Sequence, residues 1–440
     1  MSNMGLKDKR ELVKELLKSI HSGVDPVVLK NKFREVLREV SPFEIPLIEQ
    51  ELIKEGFSVN DILKLCDLHV ELFREFLESR ELVGVPRGHP LNLLLRENEW
   101  ILKQAEVLGV YAQALLNARS PNEALSYLDS TRLVLKELKK IRLHYRKLQM
   151  LIFPYLERRG IIAVPRVLWG REDQVLVKLR NLTELLEKTT REQGYEAIDK
   201  IALDLIQLSR EIQELIFREN KILYPAIKEL FTEGEWAAIA ELSDELGYIV
   251  EVGERPWAPS VKPIYPYEVQ VFVKPDQLDK LPPEFRAVLE RGIQPDTYVV
   301  SREGDIELPT GFLKPSEVDG ILRSLPLEIT YADINDRVRF FSESELTSGF
   351  PRAKTILGRI LYYCHPPRLE NYVRVNVEAV KKGQYKYREF WTRLGDRIIR
   401  VILAPVRSRS GELLGVLEVV EDLTDIVNNP EEVKKKIMVL

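Results

Sequence analysis

Side chains able to bind metal or activate a nucleophile are scarce in this 440-residue sequence, which has five histidines and two cysteines. Cys66 and His69 stand one helical turn apart and so share a helix face. Two such ligands alone do not make a zinc site, and the same spacing suits a buried cysteine beside a half-buried histidine. Cys364-His365-Pro366-Pro367 sets a thiol next to an imidazole ahead of two prolines. That arrangement is either a turn or, facing a cavity, a thiolate or imidazole ligand for haem. His89 precedes Pro90, where a helix would start, and His144 lies in a basic amphipathic stretch. Nucleophilic and nucleotide chemistry have no support, because G-x-S-x-G, P-loop, G-x-G-x-x-G and H-E-x-x-H patterns are all missing from the sequence.

Basic residues form a second kind of candidate site. Lys139, Lys140, Arg142, Arg146 and Lys147 crowd one helical stretch, and Arg158 and Arg159 end it. Further on, Lys386, Arg388 and Arg393 alternate with Tyr385, Tyr387, Phe390 and Trp391. Cations interleaved with aromatic rings can grip phosphate and stack on bases. The same pattern also describes solvated helix faces and charged edge strands.

The bulk composition bounds the alternatives. At 45% hydrophobic and 30% charged the chain can bury several cores. A net charge of -4 gives no global field toward nucleic acid or acidic lipid. Two distant cysteines exclude a disulfide framework. The first residues carry no apolar signal segment, and no run is apolar enough to span a membrane. These features predict a cytoplasmic protein, and the wealth of Lys, Arg, Glu, Ile, Leu and Val fits a thermophile.

The elements that must position these residues follow from periodicity. Residues 1–84 predict a domain of short helices. A breaker-rich hinge at Gly84–Pro90 leads to long amphipathic helices at about 91–117, 121–158, 170–192 and 195–230, with a last helix opened by Thr232 and Glu235. Long helices with tight joins predict an antiparallel bundle over 85–250. Gln149–Pro154 and Asn220–Pro225 form an internal repeat, each copy placing a proline at an expected kink. Residues 251–268 carry four prolines and read as a linker or an extended arm lying on a domain surface. A small α/β connector is expected over 269–325, with a strand at 269–273 and helices at 283–291 and 314–325. From Leu327 the period changes to two: a hairpin around Asn335-Asp336, then helices at about 351–361 and 368–382, then strands at 385–393, 397–406 and 412–421. This last domain spans 326–427, and a basic tail, 428–440, follows. The fold class is thus multi-domain, α followed by α+β.

The order of the last elements, with Asp333-Ile334-Asn335-Asp336-Arg337 at the front and Gly415 to Thr424 at the end, resembles a PAS domain. The upstream chain resembles a prokaryotic family of unassigned function that joins an N-terminal helical domain to a hemerythrin-like (HHE) bundle and a PAS domain. The residues that carry this are Leu65–His69, Gly88-His89-Pro90, Glu97-Asn98, His144–Lys147, Phe153–Ile161, Trp169-Gly170 and Glu235-Trp236. The resemblance implies two irons held between four helices by about five histidines and two carboxylates. This sequence departs from that set. Gln149 stands where the family has an acid, Arg159 where it has histidine, and Glu219-Asn220 where it has an acid pair; Asp173 is kept. His89, His144, Asp173 and Glu219 are the remnant metal ligands that the resemblance leaves.

The expected function is therefore that of a non-enzymatic regulatory or sensory protein that acts by binding a macromolecular partner, with its metal site largely lost. No cofactor is expected, the alternatives being a residual metal and a ligand of the PAS pocket at Cys364 and His365. Two other readings stay open. One is a stress-related, hibernation-type factor docking on the ribosome or another RNA–protein assembly through the basic clusters. The other is an iron- or haem-based redox or gas sensor.

Overall fold

In the computed structural model the described residues are 82, 84–188, 195–269, 295–344, 346, 350 and 352–437. The expected N-terminal helical domain, with Cys66 and His69, and the connector's elements at 270–294 lie outside them. Two compact units divide the chain, Met1–Tyr298 and Val299–Leu440.

The first unit is a helical bundle, as the periodicity predicts. Its first arm is α1 (Pro90–Leu116). The second arm is α2 (Pro121–Leu138), α3 (Ile141–Lys147), a π-helical turn (Leu148–Ile152) and α4 (Phe153–Arg158). The third is α5 (Ala163–Lys188), and the fourth is α6 (Tyr195–Arg218), a second π-helical turn (Glu219–Leu223) and α7 (Tyr224–Leu230). Helix α8 (Glu233–Leu246) closes the set. The caps that the sequence suggested are formed. Proline opens α1 and α2, where its missing N–H is harmless because first-turn donors have no intrahelical partner. Thr232 and Glu235 make a reciprocal capping box. Along α1, Leu94, Ile101, Ala105, Leu108 and Ala112 point inward at helical spacing and pack with the inward faces of α2, α5 and α6 in one continuous apolar core.

The repeat's expected kinks are π-helical turns. Phe153 N–H bonds to Leu148 O and Tyr224 N–H to Glu219 O, five residues back. Pro154 and Pro225 each sit second in the helix that follows. Proline crowds the preceding turn and has no N–H to donate, so the extra residue of a π turn resolves the clash without ending the arm. The predicted single helix over 121–158 is therefore broken twice, once after Leu138 and once at the π turn.

Residues 251–268 form the extended arm rather than a free linker. Arg96 donates to the carbonyls of Glu251 (2.6 Å) and Val252 (3.1 Å). Ile264 N–H bonds to Gly234 O at 2.9 Å, and Tyr155 OH donates to Ile264 O at 2.8 Å. Gly88, at φ +81°, lets the arm pass: an added Cβ would lie 2.7 Å from Arg255 Cα.

The second unit opens with a small hairpin, β1 (Ile306–Leu308) and β2 (Gly311–Leu313), and helix α9 (Pro315–Arg323). A five-stranded antiparallel sheet follows, in the order β4-β3-β7-β6-β5. Its strands are β3 (Glu328–Asp333), β4 (Val338–Phe341), β5 (Arg388–Leu394), β6 (Arg397–Arg407) and β7 (Leu413–Asp422). Helix α10 (Pro367–Lys381) covers one face, burying Val377 and Val380 against Ala332, Leu403 and Val416. Of the helix expected at 351–361, the described part contains only single 3-10 turns, Lys354–Ile356 and Leu361–Cys364. Two short helices follow, Thr424–Asn428 at the boundary of the expected domain and Pro430–Lys435 in the expected tail. Among the described residues no helix is long and apolar enough to cross a membrane.

Candidate functional site

The apolar stripes of the bundle are interrupted at one level by ionic side chains. Glu97 of α1 takes the place of an apolar residue between Leu94 and Ile101, and Glu172 of α5 does so between Leu168 and Val175; both are fully buried. His144 and Lys147 come from α3, Gln149 from the first π turn, and Glu219 and Asn220 from the second. The two π turns thus lie at the level where these groups converge, and the added residue of each re-aims the side chains around it.

His144 bridges two carboxylates. Its Nδ1 is 2.8 Å from Glu97 Oε2 and its Nε2 3.0 Å from Glu219 Oε2. Glu97 Oε1 receives the Lys147 ammonium and also the backbone N–H of Ile249 at 3.2 Å. Lys147 in turn lies 4.5 Å from the Tyr248 ring centre. Tyr224 OH donates to Glu219 Oε2 at 3.2 Å. Gln149 donates to Glu172 Oε2 at 2.7 Å, and Asn98 to Asn220 Oδ1 at 2.9 Å. Four buried atoms in this region, Glu172 Oε1, Glu219 Oε1, Tyr145 OH and Asn98 Oδ1, have no hydrogen-bond partner within the protein.

Burial and charge decide the protonation states. Burial pulls the His144 imidazole down, but the charges and hydrogen bonds of Glu219 and Glu97 outweigh it, so that the group is pushed up to about 9. As an imidazolium it can donate from both nitrogens. Burial raises Glu97, yet His144 and Lys147 together hold it below the usual carboxylate range. At Glu172 burial, with the Glu219 charge adding to it, outweighs the opposing Gln149 hydrogen bond and His144 charge and pushes the group up to about 8, and it is a neutral acid at pH 7. Burial pulls the Lys147 amine below the usual lysine range, against the opposing charge and hydrogen bond of Glu97. The centre thus sets Lys147 and the His144 imidazolium against the side chains of Glu97 and Glu219, beside the neutral acid Glu172.

The remnant ligands expected from the sequence do not assemble. His144 and Glu219 meet, but Asp173 is exposed on the outer side of α5 and its neighbour Glu172 faces inward. His89 caps α1, its Nδ1 accepting from Leu91 N–H at 3.1 Å. Its ring sits between Trp236 (4.8 Å) and Trp257 (4.7 Å), and burial pulls its pKa down to about 4. Arg159 is buried and donates to Glu235 and to the carbonyls of Tyr155 and Leu230. Among the described residues no group of three or more His, Cys, Asp or Glu is placed to hold a metal ion. With amides at Gln149 and Asn220 and an ammonium on Glu97, these residues do not fit a pair of iron ions.

Sequence reasoning missed Glu97, Glu172 and Lys147 as members of the site. The signal was present for the two acids, each a carboxylate inside an apolar helical stripe. Lys147 was assigned to the basic surface, yet its side chain is only 2% exposed. Arg159 leaves that surface for the same reason. Lys139, Lys140, Arg142 and Arg146 are exposed, Lys140 pairing with Glu137 at 2.5 Å. Arg158 is partly buried and faces Asp296 at 3.4 Å. On the sheet Lys386 and Arg393 are exposed, while Arg388 stacks on Tyr385 at 4.6 Å and donates to Asn376.

Cys364 and His365 stand where the chain enters α10. The Cys364 thiol points to Ile360 O at 3.7 Å, and burial raises its pKa. His365 places Nδ1 3.1 Å from Leu361 O and Nε2 3.6 Å from Glu418. Both ring nitrogens are turned to protein acceptors. On the covered face of the sheet, Arg352 ties Glu328 of β3 to Glu418 of β7 (3.3 Å) and donates to Thr330 at 2.9 Å.

Comparison with known proteins agrees with this architecture. Residues 13–79 match a family of unknown function (DUF438), residues 89–227 the hemerythrin HHE cation binding domain, and residues 318–424 a PAS domain. The chain is thus similar to a crystallised C-terminal domain from Streptococcus mutans, with 28% identity over 28% of this chain and 96% of that one, at a TM-score of 0.27. It is also similar to a PAS domain from Colwellia psychrerythraea, with 16% identity over 25% and 97% and a TM-score of 0.21. A sensory box sensor histidine kinase from Vibrio cholerae shows 11% identity over 24% and 90%, with a TM-score of 0.19. No curated protein matches the chain. A hemerythrin-type domain and a PAS domain on one chain mark a sensory or regulatory protein.

Proposed function

We propose that this protein is a non-catalytic regulatory protein whose bundle works without iron and whose output is the binding of a macromolecular partner. The observation that supports this reading is the closure of the bundle's ionic groups on one another. His144 spends both ring nitrogens on Glu97 and Glu219, and Lys147 spends its charge on Glu97. A centre of this kind has no open metal position for dioxygen or peroxide, so its contribution is to hold the helices in register. The PAS domain is the natural interaction module, since its ordered sheet carries exposed aromatic residues such as Trp391 on its edge strand.

The test is recovery of tagged full-length protein from native extract, with and without chelator and with and without RNase. One macromolecule recovered in stoichiometric amount, unaffected by chelator, is the expected result. A protein that came down alone and consumed dioxygen or peroxide when purified would overturn the reading.

A further inference from the structure

We infer that Lys147 is a built-in counter-ion that stands in for a metal charge, and that its ammonium is what keeps a divalent cation out of the bundle centre. The inference rests on the metal-independent reading above and deepens it. Its basis is the disagreement between a fold that holds cations by carboxylate and imidazole and a centre in which those groups are already spoken for.

Three features carry it. The ammonium is enclosed, with the Tyr248 ring at 4.5 Å on one side and the Glu97 carboxylate on the other. Glu97 is a carboxylate on a bundle arm, the kind of group that would bind a metal, and both of its oxygens are taken, Oε2 by His144 and Oε1 by Lys147 and Ile249 N–H. Any ion drawn to Glu97 meets a positive charge there first, in surroundings of low dielectric where like charges repel strongly. Meanwhile Glu172 Oε1 and Glu219 Oε1 are buried and have no hydrogen-bond partner within the protein, as is Tyr145 OH. The oxygen donors for a hard divalent ion are thus present, and a fixed cation opposes the ion itself. Removing that cation while keeping its apolar stem should expose a site of carboxylate oxygens, of the type that manganese, iron and zinc accept, with His144 at its edge able to ligate once the entering ion displaces one of its ring protons.

The experiment compares full-length native protein with Lys147→Met and Lys147→Gln. Each is incubated with Mn(II), Fe(II) or Zn(II), desalted, analysed for metal per chain, and melted with and without the ion. The native chain is expected to retain no stoichiometric metal and to melt at an unchanged temperature. The Met variant should retain about one ion per chain, gain thermal stability from it, and lose both on adding Glu219→Gln. Lys147→Gln keeps a donor to Glu97 without charge and covers the case in which the Met variant does not fold. A folded neutral variant that took up no metal would overturn the inference. So would native protein holding a stoichiometric ion that Glu219→Gln removes. Neither outcome bears on whether a partner is captured, so failure here is separable from failure of the regulatory reading.

Discussion

Arg159 donates to both carboxylate oxygens of Glu235, at 2.7 and 2.9 Å, with the two side chains 8% and 2% exposed. The pair ties the end of α4 to the first turn of α8, and Glu235 also caps α8 through Thr232 N–H at 2.7 Å. A position where the resemblance expects a metal-binding histidine has become a structural cation. Its charge serves the interior of the bundle and is withheld from any surface that could meet a polyanion.

Truncating that cation should be costly. Arg159→Ala leaves Glu235 buried and unpaired, and breaking a buried pair from one side costs about 3–5 kcal/mol. Arg159→Lys should recover only part of the loss, because an ammonium cannot fork onto two oxygens and two carbonyls. Chemical denaturation of the two variants beside the native chain measures both effects.

The bundle should lose stability as pH rises from weakly acidic to alkaline. His144 is raised from 6.5 to about 9, so its contribution is complete below pH 6.5 and disappears as pH climbs through 9. Glu172 is raised from 4.5 to about 8, so the unfolded chain releases its proton first and stability falls across that interval as well. Glu97, held low, acts oppositely and only at the acid end. Unfolding free energy measured between pH 5 and 9.5 should decline, and His144→Gln should flatten the upper part of the curve. A flat native profile would contradict these assignments.

The strap over residues 251–268 passes close to Gly88 and to Gly234. Gly88→Ala places a Cβ against Arg255 Cα and forces an L-residue into a left-handed conformation, itself worth roughly 1–2 kcal/mol. The variant should remain folded, because the helical core is untouched, while the strap loosens. Hydrogen exchange at the Ile264 amide, which bonds to Gly234 O, should quicken more than exchange within α1 or α6.

In the second unit Arg352 is the counterpart of Arg159. Arg352→Ala would remove the guanidinium that joins Glu328 and Glu418 on the same face of neighbouring strands, and should cost on the order of 3–5 kcal/mol. The loss should fall on the unfolding transition of the sheet domain. Equal shifts in sheet and bundle transitions would argue against a local effect.

The one-dimensional pattern determined the helices, their caps, the repeat and the change to period two at Leu327, because each follows from contacts between residues three, four or two positions apart. The resemblance to a metal-binding family, rather than that pattern, marked Gln149, Arg159 and Asn220 as departures from a ligand set. Which carboxylate of the pair Glu172–Asp173 faces inward was decided by the rotation of α5 in the bundle, a matter of about 100° per residue that only packing of its apolar stripe settles. Lys147 looked like one more member of a basic run, since charge in a sequence is silent about burial. Its destination was decided by Glu97, 50 residues earlier on another arm, and by Tyr248, two residues past the end of α8. A buried ion pair exists only when both partners and their shielding arrive together, and the groups that meet in this bundle come from four arms far apart in the chain.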